Sequence, residues 1–111
     1  MTILRQAFQG VGPMLAGFEV PVGSTYRLVS VSLALDAAAT TSENLELGID
    51  FIEGANYGVY LYRLDLAATA TIDLFWAPDG ELYLFGGDRF GARWTNSNGR
   101  TWGILFTVEV A

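Results

Sequence analysis

The chain has no histidine, no cysteine and no lysine, and only three prolines among its 111 residues. Each absence removes a class of chemistry. Without cysteine there is no disulfide, no thiolate nucleophile and no thiolate metal site, and the redox compartment is left undetermined. Without histidine or lysine, a serine or threonine nucleophile has no imidazole or amine side-chain base, leaving only the terminal amine. No glycine-rich loop ends in a lysine that could cradle phosphate, and Gly86-Gly87-Asp88 stands in no phosphate-loop context. The six basic residues are all arginines, Arg5, Arg27, Arg63, Arg89, Arg93 and Arg100, and they form no cluster. With a formal net charge of −6, the chain lacks the basic footprint that nucleic acid or an anionic membrane requires.

Long hydrophobic runs are also missing. The apolar stretch Val11–Val22 is interrupted by glycines and by Pro13 and Pro21, and it is too short to span a bilayer. The start, Met1 to Gln6, lacks the basic-then-apolar order of a secretion signal, so export is expected only inside a particle or by lysis.

What is present is apolar surface. Hydrophobic residues make up 51% of the chain and aromatics 14%, against 16% charged. A domain of this length buries roughly two-thirds of the surface its unfolded chain exposes. So apolar a chain is expected to leave hydrophobic area uncovered, and such patches mark contacts with other proteins. An oligomer or a subunit of a larger assembly is expected.

The apolar residues recur with period two, the signature of half-buried strands. Val29, Val31, Leu33 and Leu35 share one parity, with Leu28, Ser30, Ser32 and Ala34 opposite. Leu45, Leu47, Ile49 and Phe51 alternate with Asn44, Glu46, Gly48 and Asp50. Tyr57, Val59 and Leu61 alternate with Gly58, Tyr60 and Tyr62, so both faces of that strand are expected to be covered. Further strands are read at Ala70–Trp76, at Leu82–Phe85 and at Phe90–Trp94, and a last one carries Trp102, Ile104, Phe106, Val108 and Val110 on one side. Pro78-Asp79-Gly80 and Asn96-Ser97-Asn98-Gly99 are turn sequences, and each is expected to close a hairpin. Asp36 to Ser42 has no amphipathic pattern and reads as a loop.

This spacing predicts an all-β fold, a single small antiparallel β-sandwich, jelly-roll-like, of about seven or eight strands. The sandwich is expected over residues 24–111, with an N-terminal arm over 1–23. In that arm Ile3, Leu4, Ala7 and Phe8 could form one face of a short helix or an irregular segment docking on a neighbour. A first strand or a cover for the domain's own core is the other reading.

Carboxylates are the only catalytic groups left. Pairs about 5–10 Å apart can hydrolyse glycosides, and Asp65 with Asp73, or Asp79, Glu81 and Asp88, are the combinations available. Twelve acids on so small a surface produce such pairs by chance, and solvated acids that keep an apolar molecule soluble are the favoured reading. The acidic stretches Asp36–Glu43 and Asp50–Glu53 could gather oxygen ligands for calcium, but no Asp-x-Asp-x-Asp-Gly pattern occurs. No catalytic residue, metal ligand or cofactor site is therefore assigned. Trp76, Trp94 and Trp102 could stack on sugars, yet each is in phase with the apolar face of its strand, which favours packing in a core or interface. The candidates for contact with a partner protein are Ile3, Leu4, Phe8, Tyr60, Tyr62, Tyr83 and Trp102. Thr101–Val110 is long, apolar and nearly uncharged, and no lysine guards a sheet edge anywhere, so an unpaired edge there would invite another chain.

Several segments carry a resemblance: "VSVSLALDAAATTSENLELGID" at Val29–Asp50, then "YGVYLYRLDL", "TIDLFWAPDGELYLFGGDRFGARWTN" and "GRTWGILFTVEV". Thr41-Ser42-Glu43-Asn44-Leu45, Leu64-Asp65-Leu66, Gly87-Asp88 and the Asn-containing turn before Thr101-Trp102-Gly103 are its most recognisable parts. Over roughly residues 25–110 the chain resembles small all-β virion structural proteins of tailed bacteriophages. The resemblance implies a non-enzymatic capsid decoration (cement) protein, or a head or tail accessory protein, on the virion surface and assembled in the host cytoplasm. Its partners would be the major capsid protein or other virion proteins, with a homo-oligomer, a trimer by expectation, multiplying weak contacts. A tail or surface module binding carbohydrate or a host receptor is the alternative.

Overall fold

The computed structural model describes residues 2–49 and 59–111. These residues form nine strands: β1 (Thr2–Val11), β2 (Met14–Glu19), β3 (Thr25–Leu35), β4 (Asn44–Ile49), β5 (Val59–Asp65), β6 (Asp73–Trp76), β7 (Tyr83–Phe85), β8 (Arg89–Trp94) and β9 (Thr101–Val110). They build two antiparallel sheets packed as a sandwich, with no helix among the described residues. Sheet A has the order β1-β9-β3-β6, with β7 also on β3; sheet B has the order β2-β8-β4-β5. The chain passes between the sheets at most connections. This interleaving, with β6 and β7 sharing one position, is that of a jelly roll.

Residues 1–23, expected as an arm, supply from Thr2 onward the first strand of each sheet. Leu4 and Phe8 turn inward against the core, while Ile3 and Ala7 point out, as strand alternation requires and a helical face does not. Asn96–Gly99 forms the anticipated turn and Pro78-Asp79-Gly80 only a bend, and neither closes a hairpin. Gly99 N–H donates to Asn96 O at 2.9 Å, yet this turn carries the chain from β8 in sheet B to β9 in sheet A. Around Pro78-Asp79-Gly80, β6 pairs with Val31–Ala34 and β7 with Thr25–Arg27 of the same strand, both antiparallel. They are two consecutive pieces of one interrupted edge strand.

The core lies between the inner faces, and its centre is aromatic. Phe106 meets Phe8, Phe18 and Phe90 at centroid separations of 5.9, 5.6 and 5.7 Å, edge-on in each case. Leu28, Val31, Leu45, Leu47, Leu84 and Val108 surround them, all essentially buried. Strand β9 alternates as expected, with Trp102, Ile104, Phe106 and Val108 inside. It runs down the middle of sheet A between β1 and β3, so the edge hazard read for Thr101–Val110 does not arise there. Strand β3 departs from simple alternation. A bulge between Leu28 and Ser30 shifts its register against β9, so Tyr26 and Leu28 face the core at one end and Val31 and Leu33 at the other.

Polar side chains staple the loops at one end. Asn96, 2% exposed and at φ 50°, donates to Gly12 O and Arg100 O at 2.6 and 2.8 Å and accepts from Arg100 N–H at 3.0 Å. Trp102 Nε1 donates to the same Gly12 carbonyl at 3.0 Å. Its indole lies over Gly10, where an added Cβ would sit 2.9 Å from the ring, so only glycine fits. Trp94 Nε1 is buried without a hydrogen-bond partner among the described residues.

Candidate functional site

A small cleft beside Trp76 is lined by Pro78, Asp79 and Glu81. The distinctive feature of the surface is the outer face of sheet A. Strand register places side chains there in rows: Gln9, Gly103, Ala34 and Asp73; then Ala7, Leu105, Ser32 and Phe75; then Ile3, Glu109, Arg27 and Tyr83. Small residues in the first two rows leave a groove of about 960 Å³ whose floor includes Ala7, Ser32, Ala34, Gly103 and Leu105, with Phe75 at its side. Phe75 is 70% exposed and Phe85 60%. The total accessible surface, 5912 Å², matches the roughly 6,000 Å² expected of a compact chain of this mass. Apolar exposure here reflects which side chains face out, not loose packing.

An ion pair crosses this face. Arg27 Nη2 meets Glu109 Oε2 at 2.6 Å, and that bond holds the guanidinium above its ordinary pKa. Beside it the Tyr83 hydroxyl donates to Glu81 at 3.0 Å, which raises the phenol's pKa. Arg5 makes no ion pair among the described residues.

The outer face of sheet B is built differently. The Glu46 carboxylate lies between Arg63, at 2.9 Å, and Arg93, at 3.0 Å. Tyr60 lies beneath both guanidinium groups, 4.0 Å from Arg63 and 5.2 Å from Arg93, and its hydroxyl accepts from Arg93. Arg89 and Glu19 face each other at 3.7 Å.

Carboxylates elsewhere hold loops. Asp65 Oδ1 accepts from Ala67 and Ala68 N–H at 3.0 and 3.1 Å, and Oδ2 accepts from the Ser42 hydroxyl. These bonds, the Ser42 one foremost, keep its pKa below the usual aspartate value. Asp88 accepts from Phe85 N–H at 2.9 Å, Asp36 from Thr101 N–H at 3.0 Å, and Glu43 from Ser97 N–H at 2.9 Å. The acids singled out for hydrolysis or calcium that are engaged in this way are turn and loop clasps. Among the described residues no group of three or more acids could hold a metal ion, and Asp50–Glu53 lies outside them.

The fold has a counterpart in a phage capsid. A chain from the structure described as the "Acidic stable capsid structure of Helicobacter pylori bacteriophage KHP30" superposes with a TM-score of 0.52 at 16% identity. The match covers 97% of this chain and 94% of that one, so the two are sandwiches of nearly equal length. At that identity the likeness shows the fold. No protein-family model matches the chain, and no curated protein matches it either.

The seven residues expected at an interface divide by side. Ile3 and Tyr83, 42% and 41% exposed, lie on the outer face of sheet A in one row. Tyr60 lies on sheet B under its arginines. Leu4 and Phe8 pack against the core from β1, Tyr62 turns in to meet the Trp76 ring at 5.7 Å, and Trp102 is 7% exposed. Phe75 was not anticipated. The sequence places Leu74 and Trp76 on the apolar face of this strand, as the pairing with β3 does, but Phe75 on the opposite face was not singled out.

Proposed function

We propose that this chain is a non-enzymatic structural component of a bacteriophage virion, a decoration or cement protein seated on the head through the outer face of sheet A. The observation that carries the reading is the end-to-end likeness to a chain in a phage capsid structure. The character of the face supports it: a groove floored by small residues and flanked by an exposed phenylalanine accepts a protein surface or segment by shape and apolar burial. The tryptophans on which the sugar-binding alternative depends are not free to stack on a sugar. Trp94 and Trp102 are buried, Trp76 is half-buried against Tyr62, and Tyr60 is occupied by arginines.

Fractionation of virions into heads and tails, with detection of the chain by mass spectrometry, tests this. The chain is expected with heads. Heads stripped of it should lose resistance to heat or osmotic shock, and added wild-type protein should restore that resistance while Phe75→Asp protein does not. Recovery of the chain only with tails, or its absence from particles, would overturn the proposal.

A further inference from the structure

The four sheet edges are not alike. Strand β2 has six residues between Pro13 and Pro21. Strand β5 pairs with β4 across a register shift between Leu47 and Gly48. The β6/β7 edge is broken into pieces of four and three residues, with Pro78 in the gap. Bulges, prolines and short strands are the devices that stop an edge from recruiting another chain. Strand β1 has none of them. Its ten residues pair with β9 in unbroken register from Thr2↔Val110 to Val11↔Thr101, it contains no proline, and β9 is its only strand partner among the described residues. Along its outer side the backbone donors and acceptors therefore face no strand among the described residues, and an extended strand can replace water along such a row.

We infer that β1 is a self-association edge: two copies join antiparallel along it, about a two-fold axis at Ala7, into one continuous sheet. The inference rests on the reading of the chain as a homo-oligomeric assembly component and names the contact. Charge and complementarity select a second copy as the occupant. The molecule carries −6, yet β1 contains no acid and one arginine, so two copies approach here with the least repulsion. With Ala7 on the axis, Arg5 stands opposite Gln9 of the second copy, whose amide oxygen suits an arginine that has no ion pair among the described residues. Ile3 stands opposite Val11, covering side chains 42% and 69% exposed. An axis at Arg5 would set two arginines face to face, and an axis at Gln6 would leave them diagonal neighbours; both are disfavoured. Identical edges meet isologously, so a two-fold replaces the trimer expected from sequence. The groove borders β1 through Ala7, Phe8 and Gln9, so joining edges also sets two docking grooves side by side.

Sedimentation of the purified chain should give twice the monomer mass of 12.0 kDa. Because the chain has no cysteine, one introduced thiol reports the axis. Opposed residues of antiparallel strands have Cα atoms about 4.5–5.5 Å apart, within the range a disulfide spans. Ala7→Cys should oxidise in air to a covalent dimer, whereas Gln9→Cys, which faces residue 5, should stay largely monomeric under denaturing electrophoresis. Ala7→Glu and Ala7→Arg should each run as folded monomers, and an equimolar mixture should recover the dimer. A wild-type monomer over the accessible concentration range would overturn the inference. So would an oligomer indifferent to Ala7→Glu, or crosslinking no greater at residue 7 than at residue 9. Loss of the dimer would weaken head association only by the avidity of paired grooves, whereas Phe75→Asp, away from β1, would lower head association and leave the dimer intact.

Discussion

The two sheets bury equivalent inner faces and present unlike outer ones. Sheet B faces outward with an Arg63–Glu46–Arg93 chain over Tyr60 and with the Arg89–Glu19 pair. Sheet A faces outward with Ala7, Ala34, Gly103, Leu105 and Phe75, and with an ion pair at its far row. A lattice of charges directed at its own neighbours keeps a surface hydrated and uncommitted. A face of small and aromatic residues with an open edge beside it offers apolar area and backbone groups to another protein. The proposed function assigns the partner to sheet A and leaves sheet B to water.

The largest effect should come from what both faces share. Phe106→Ala empties the aromatic centre, where the ring is wholly buried and touches Phe8, Phe18 and Phe90. A loss of about 3–5 kcal/mol is expected in urea unfolding. A loss below 1 kcal/mol would mean that the sheets do not depend on this contact for their common support. Next in size is Phe75→Asp on sheet A. Its ring is 70% exposed, so folding stability should stay within about 0.5 kcal/mol of wild type. Binding to stripped heads should fall tenfold or more, read by co-sedimentation, because truncation of a central aromatic contact costs at least about 1.4 kcal/mol. Equal losses from Phe75→Asp and from a sheet B substitution would erase the distinction between the faces.

How far the sequence reveals this arrangement depends on what period two can encode. It shows parity wherever apolar and polar residues strictly alternate, so the inward sets of β8 and β9 and the all-β class are legible from residues alone. It does not show sheet membership. Asn98-Gly99 supports a turn equally well within a sheet or between sheets, and here it changes sheet. Nor does it reveal a bulge: Leu28 and Val31 differ in parity yet face the same core because the register slips at Val29. The interface candidates suffered most from this. Aromatic content drew attention to Tyr62 and Trp102, which the core consumes, and away from Phe75, whose neighbours are apolar on both sides.

On sheet B, Glu46→Gln removes the carboxylate shared by Arg63 and Arg93. Both arginines are partly exposed, so the expected loss is about 0.5–1 kcal/mol at low salt, shrinking as salt screens the pairs. Head binding should be unchanged, which is the sheet B half of the comparison with Phe75→Asp. A salt-independent loss, or a fall in head binding, would show that sheet B also carries a contact.

The smallest effect concerns pH, and it belongs to the loops beside β5 and not to the apolar face. Asp65 is held below its ordinary value of 3.8 by the Ser42 hydroxyl and the Ala67 and Ala68 amides. A carboxylate with a lowered folded pKa binds fewer protons in the native state than in the unfolded one. Its contribution is therefore fully present above the ordinary aspartate value and is lost as pH falls through the lowered one. Asp65→Asn keeps an acceptor for the two amides but no longer titrates there. The stability gap between wild type and this variant should be constant near neutrality and should narrow below about pH 4, read from urea midpoints across an acid series. Phe75→Asp supplies the contrast, because its new carboxylate lies on an exposed face with no partner assigned to it, and its gap to wild type should change much less over the same range. A gap for Asp65→Asn that stays constant through the acid limb would mean that the Ser42 and backbone bonds do not favour the charged form, and that this loop clasp holds by geometry alone.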